Sequence, residues 1–148
     1  MPTRIESTVI IQRPVAEVFP FVLNLDASIQ SMDSGVESIK KIPEGPVGVG
    51  TTFRIRQHTL GRLRETTSRN TAIEPNRLIE FEAELGPVDA TARMVFEPTD
   101  GATRVTFSAD PRPVGLFRLL APLMMRVGQR AWDRRLERLK ATLEADRA

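Results

Sequence analysis

Few side chains in this sequence could do chemistry, and the most suggestive are Glu65, Thr67 and Arg69 in the polar stretch 62–73. Two-residue spacing in an extended strand puts all three on one face, shared with Leu63 and Ile73. Facing inward, a carboxylate and a guanidinium would stand in an apolar interior, where unpaired burial is costly. They would then pair with each other or hold the polar head of a ligand. A register displaced by one residue turns all three to solvent instead. His58 is the single histidine. Alternation places it with Arg54 and Arg56, opposite Phe53 and Ile55, near a strand end where exposure is the default. With no nucleophile or metal partner in view it is a weak signal for a base.

Glu80, Glu82 and Glu84 recur at period two on what reads as an outer face. Strand spacing does not converge three carboxylates on a metal ion, so ion pairs with Arg62, Arg64 and Arg93 on adjacent strands are expected. Neither a metal nor a cofactor is expected. Residues 47–52, VGVGTT, look faintly like a phosphate loop but lack its lysine and following helix, and read as a mobile loop at a cavity rim.

The elements that must position these groups follow from periodicity. Ile5, Ser7, Val9 and Ile11 alternate as a first strand. Pro14 opens a short amphipathic helix over 14–23 that Pro20 should kink or end early, and 27–32 forms another helical turn. Period two then takes over: strands at 36–42, 51–58, 62–73, 77–85 and 88–97 lead to a last one carrying Val105, Phe107 and Ala109. Pro98-Thr99-Asp100-Gly101 makes a hairpin turn before that strand. A long helix over 113–145, after Pro111 and Pro113, closes the chain. The expected class is α+β, a curved antiparallel sheet of seven strands in the order β-α-α-β6-α, gripping the C-terminal helix as one domain.

On the wheel of that helix, Ala121, Met125, Gly128, Trp132, Leu136, Leu139 and Leu143 form one apolar stripe. Arg126, Gln129, Asp133, Glu137, Lys140 and Glu144 fill the opposite side, read as a solvated face. The front half carries a second apolar flank, Leu116, Leu120, Leu123, Met124, Val127 and Ala131. It is capped by loops, or it serves as a ligand portal, a homodimer contact or a membrane-facing lid. Ala83, Ala90, Ala92 and Ala109 on the sheet oppose Ala121 and Gly128 on the helix. Small residues on facing surfaces leave an apolar hollow suited to a ligand, unless Trp132, Met94, Met124 and Phe81 close it.

The chain has 148 residues, 41% hydrophobic and 27% charged, with a net charge of +2, as in an ordinary globular domain. The absence of cysteine excludes disulfides and thiolate chemistry and fits a reducing compartment. With no apolar signal core near residue 1 and no run long enough to span a bilayer, a cytoplasmic protein is expected. Acids alternate with the bases of the helix and tyrosine is absent, which argues against nucleic acid as a partner.

The segments IESTVIIQRPVAEVFPFVLNL, GVGTTFR, IEPNRLIEFE, GATRVTF and LFRLLAPLMMR…LERLKATLE resemble the SRPBCC superfamily. It includes START lipid-transfer domains, birch-pollen-allergen-like proteins and bacterial polyketide cyclase/dehydrase-like proteins. The resemblance implies a helix-grip fold with a deep hydrophobic cavity. Where bacterial members commonly carry tryptophans after the first helix, this chain has Ile29 and Met32. The expected function is binding of a lipid-like or polyketide-like small molecule by Phe53, Glu65, Thr67, Arg69, Phe81, Ala83, Ala90, Ala92, Met94, Phe107, Ala121, Met124, Met125, Gly128 and Trp132. An alternative is a cyclase/dehydratase-type enzyme in which Glu65 or His58 moves a proton. A second alternative is an accessory factor that docks a membrane or protein through the front of the helix.

Overall fold

The computed structural model describes residues 4–32, 35–59, 61–84 and 88–145. Its elements are β1 (Ile5–Ile11), α1 (Val15–Leu23), α2 (Leu25–Met32), β2 (Val36–Ile42), β3 (Thr52–Thr59), β4 (Arg62–Glu74), β5 (Leu78–Glu84), β6 (Val88–Thr99), β7 (Ala102–Pro113), a 3-10 helix (Gly115–Leu120) and α3 (Ala121–Ala145). The seven strands form one sheet ordered β1-β7-β6-β5-β4-β3-β2, every neighbouring pair antiparallel. This is the helix-grip arrangement expected from the periodicity. Leu85, the last residue of the strand expected over 77–85, lies outside the described residues.

Local chemistry accounts for most boundaries. In β1 the side chains of Ile5, Ser7, Val9 and Ile11 are buried and those between them exposed. β6 and β7 are joined by Asp100 and Gly101 alone, with φ of 50° and 81°, the two left-handed residues that a type I′ hairpin requires. Pro20 does not end α1, which continues to Leu23. Asn24 closes it by donating its backbone N–H and its side-chain amide to the Pro20 carbonyl, at 3.1 and 2.8 Å.

The start of the long helix differs from the expected one. β7 runs on to Pro113, paired with Val88, so Pro111 and Pro113 belong to a strand. Both lie beyond Ala109, where pairing with β1 stops, and an edge tolerates residues without an N–H. Gly115, at φ 59°, then turns the chain into the 3-10 helix. α3 begins only at Ala121, with Pro122 in its first turn. Its 25 residues span about 37 Å.

The main core lies between α3, α1 and the concave face of the sheet. It includes Ile5, Val9, Val18, Phe19, Met94, Phe96, Val105, Phe107, Leu136 and Leu139. Phe19 and Phe96 meet edge to face, ring centroids 5.1 Å apart. A second cluster of Ile29, Phe53 and Ile55 sits under α2.

α3 is held against the free edge of β1 by side chains that the helical wheel assigned to solvent. Gln129 donates to the Glu6 carbonyl at 2.6 Å and accepts the Glu6 N–H at 3.1 Å, replacing a neighbouring strand. Lys140 donates to the Ile10 carbonyl at 2.7 Å, and the Gln12 N–H donates to Glu144 at 2.8 Å. Ser7 donates to Asp133 at 2.6 Å. The wheel misassigned these residues because polar groups on an open strand edge need partners as much as they need water.

Gly128 leaves room for the Ile5 side chain. A Cβ there would stand 2.5 Å from Cδ1 of Ile5, so the Ile5 side chain fills space where a hollow was expected. Gly128→Val is expected to destabilise the protein by about 1–3 kcal/mol in urea unfolding, since overpacking forces Ile5 or the helix to move.

Candidate ligand-binding cavity

Among the described residues the concave face retains a cavity of about 120 Å³, between α2, the middle of the sheet and α3. Leu25, Ile29 and Met32 reach it from successive turns of α2, Ile55 and Gln57 from β3, and Thr66, Thr67 and Ser68 from β4. Ala83 of β5 and Trp132 and Arg135 of α3 complete the lining. One face of the Trp132 indole stacks on Phe107, centroids 3.6 Å apart and planes 12° from parallel. Phe81 supports Phe107 at 6.5 Å. The Arg135 guanidinium stands 4.9 Å from the Trp132 ring centre, a cation–π contact. The wall is therefore apolar except for the Arg135 guanidinium, the Gln57 amide and the strip Thr66–Ser68.

The structure corrects the placement of Glu65 and Arg69. Both are exposed on the outer face, where Arg69 pairs with Glu82 at 3.4 Å and Glu65 lies opposite Arg56 in the ladder. The cause is a bulge between Asn70 and Ala72. Beyond it Ile73 faces inward, opposite buried Ile79. Before it the even-numbered Ser68 and Asn70 take the inward phase, opposite Ala83 and Phe81. Strict alternation counted back from Ile73 crosses that extra residue and inverts every side chain before it. Thr67 has the outward phase yet borders the cavity.

The remaining expected residues divide. Ala83, Trp132 and Thr67 line the cavity. Phe53 is buried beside it under α2, and Phe81 and Phe107 brace the tryptophan. Ala90, Ala92 and Met94 are buried and do not border it, and Gly128 meets Ile5. Ala121 and Met124 are half-exposed in the first turn of α3, and Met125 packs on the main core. Stacked rings and methionine thus occupy much of the space that the alanines left open.

His58 lies on the outer face, as alternation required, 3.2 Å from Glu37. Glu80 pairs with Arg93, as expected, but Arg62 and Arg64 are not partners of the glutamates. They lie opposite Thr59 and Gln57 of β3 instead. At the β4–β5 turn a hydrogen bond from Arg77 holds the Glu74 carboxyl below its ordinary pKa. Residues 47–52, expected at the cavity rim, do not border the cavity. Gly50 donates to the Asn70 carbonyl at 2.8 Å, and Asn70 donates to Thr51 at 3.0 Å, pinning the loop's end to β4.

Sequence reasoning missed Leu25, Ile29 and Met32, whose i, i+4, i+7 spacing marks one helical face. It also missed Arg135, three residues after Trp132 and hence above it on the helix. Nothing in the sequence signals Thr66 or Ser68, whose orientation depends on the bulge.

A family model described as polyketide cyclase / dehydrase and lipid transport matches residues 2–144. The chain belongs to that family. No curated protein matches it. Among solved structures, TTHA0849 from Thermus thermophilus superposes with a TM-score of 0.81 at 19% identity, covering 98% of this chain and 99% of the other. Ara h 8.0201 does so with a TM-score of 0.76 at 16% identity, over 96% and 97% of the two chains. The di-domain ARO/CYC BexL from the BE-7585A biosynthetic pathway gives 0.78 at 20% identity, over 97% of this chain and 47% of BexL. These likenesses are of fold alone, and they agree with the seven-stranded sheet and long C-terminal helix of this chain.

Two substitutions separate the inner wall from the outer face. Trp132→Ala is expected to cost about 3 kcal/mol by thermal or urea unfolding, because it strips the stack from Phe107. Arg69→Ala is expected to cost less than about 1 kcal/mol, as for any exposed ion pair.

Proposed function

We propose that the protein binds a small, largely apolar molecule with a polar or anionic end, seated between α2 and Trp132. The observation that carries this reading is the pairing of an indole face with the Arg135 guanidinium at one apolar cavity. The indole, with Phe107 on one face and Arg135 over the other, offers its edge to a ring or unsaturated chain, and the guanidinium and the Thr66–Ser68 strip offer partners to a carboxylate, phenol or carbonyl. A volume of about 120 Å³ is below the several hundred Å³ usual for larger ligands, and close to the ~150 Å³ that accepts a benzene-sized molecule. A longer lipid-like or polyketide-like ligand therefore requires α2 or Trp132 to give way. Binding is favoured over catalysis because Glu65 and His58, the groups proposed to move a proton, are both on the outer face.

Trp132 is the single tryptophan, so its fluorescence reports directly on the cavity. Titration with benzoate and 1-naphthoate is expected to change its emission saturably. Ala83→Leu, which fills the cavity, is expected to abolish the response while leaving the circular dichroism intact. Arg135→Gln is expected to weaken the carboxylates about tenfold, the loss of one charge-assisted hydrogen bond, and to leave naphthalene unaffected. No saturable change with any probe, together with a bare protein mass in native mass spectrometry of fresh preparations, would overturn the reading.

A further inference from the structure

Among the described residues nothing covers the second apolar flank of the C-terminal segment. Leu116 and Leu119 of the 3-10 helix are 81% and 80% exposed, and Leu123 and Val127 of α3 are 60% and 61% exposed. Phe117 and Leu120 lie between them, also exposed. Isolated exposed leucines are ordinary, but a run over four successive turns forms a continuous patch.

Along the segment that carries the patch the charges have one sign. From residue 111 to residue 132 the chain holds Arg112, Arg118, Arg126 and Arg130 and no aspartate or glutamate. The flanking acids are engaged elsewhere, Asp110 with Arg4 and Asp133 with Ser7 and Gln129. Among the described residues Arg118, Arg126 and Arg130 make no ion pair. Among the same residues no helix is long and apolar enough to cross a membrane.

We infer that the 3-10 helix and the first two turns of α3 dock onto an anionic lipid surface, with the leucines in the acyl boundary and the arginines at the headgroups. A second copy of this chain fits worse, because like patches would set arginine against arginine with no carboxylate between them. A bilayer carrying acidic headgroups satisfies both the apolar area and the charge. The inference stands apart from the ligand reading, since none of these residues borders the cavity.

Sedimentation of the full chain with phosphatidylcholine vesicles, with and without phosphatidylglycerol, tests it. Binding is expected only with phosphatidylglycerol, and is expected to fall as sodium chloride is raised. Leu119→Glu with Leu123→Glu changes exposed side chains and is expected to lower the partition at least about tenfold, two glutamates having to enter the acyl boundary. Arg126→Gln with Arg130→Gln is expected to lower it by about fivefold per arginine. Three results would each overturn the proposal: no binding to phosphatidylglycerol vesicles at low salt, undiminished binding by both double variants, or a dimer in solution that Leu119→Glu with Leu123→Glu dissociates.

Discussion

The free edge of β1 is the constraint on which the rest of the structure depends. An edge strand presents backbone N–H and C=O groups that must find partners, and in this fold they find them on a helix. Gln129, Lys140 and Glu144 bond to Glu6, Ile10 and Gln12 in turn, so α3 runs alongside β1 with its height and rotation fixed at three points. Arg13 adds a bond from its guanidinium to the Leu143 carbonyl at 3.0 Å. Gly128 leaves room between them for the Ile5 side chain. Once these ties are made, Trp132 falls on Phe107 and Arg135 falls beside Trp132, with no further adjustment of the helix. The turns ahead of Gly128 lie past the first described tie, at Glu6, and the side chains of their second flank are exposed.

A single extra residue in β4 decides the chemistry of the opposite wall. Without the bulge at Asn70/Ala72, the inward phase of Ile73 would carry Arg69, Thr67 and Glu65 with it. With it, Ser68 and Thr66 approach the cavity, and Arg69 joins Glu82 outside. The bulge exchanges a buried charge pair, costly to desolvate, for hydroxyls that lose little on burial when bonded or wet. Among the described residues Arg135 becomes the one charged side chain bordering the cavity.

The size of the cavity follows from what fills the rest of the concave face. Ala92 and Ala109 are small, but they belong to one buried cluster with Met94 and Phe107 and do not leave open space. Close packing takes up such gaps wherever large side chains can reach them. The space that survives is where α2, a short helix, bridges from β2 and β3 toward α3. Its lining is consequently mixed, apolar from α2 and polar from β4.

Element order, strand count, the Asp100-Gly101 hairpin and the buried stripe Leu136, Leu139 and Leu143 were all legible in the linear order of residues. Each depends on short-range periodicity or on a backbone angle that one residue type tolerates. The exposure of His58 and the apolar flank at the front of the helix were legible for the same reason. The inward side of β4, the work of Gln129, Lys140 and Glu144, and the meeting of Trp132 with α2 were not. These rest on register across a bulge and on contacts between residues more than a hundred positions apart, where no local pattern distinguishes a polar side chain bound to a strand edge from one bound to water.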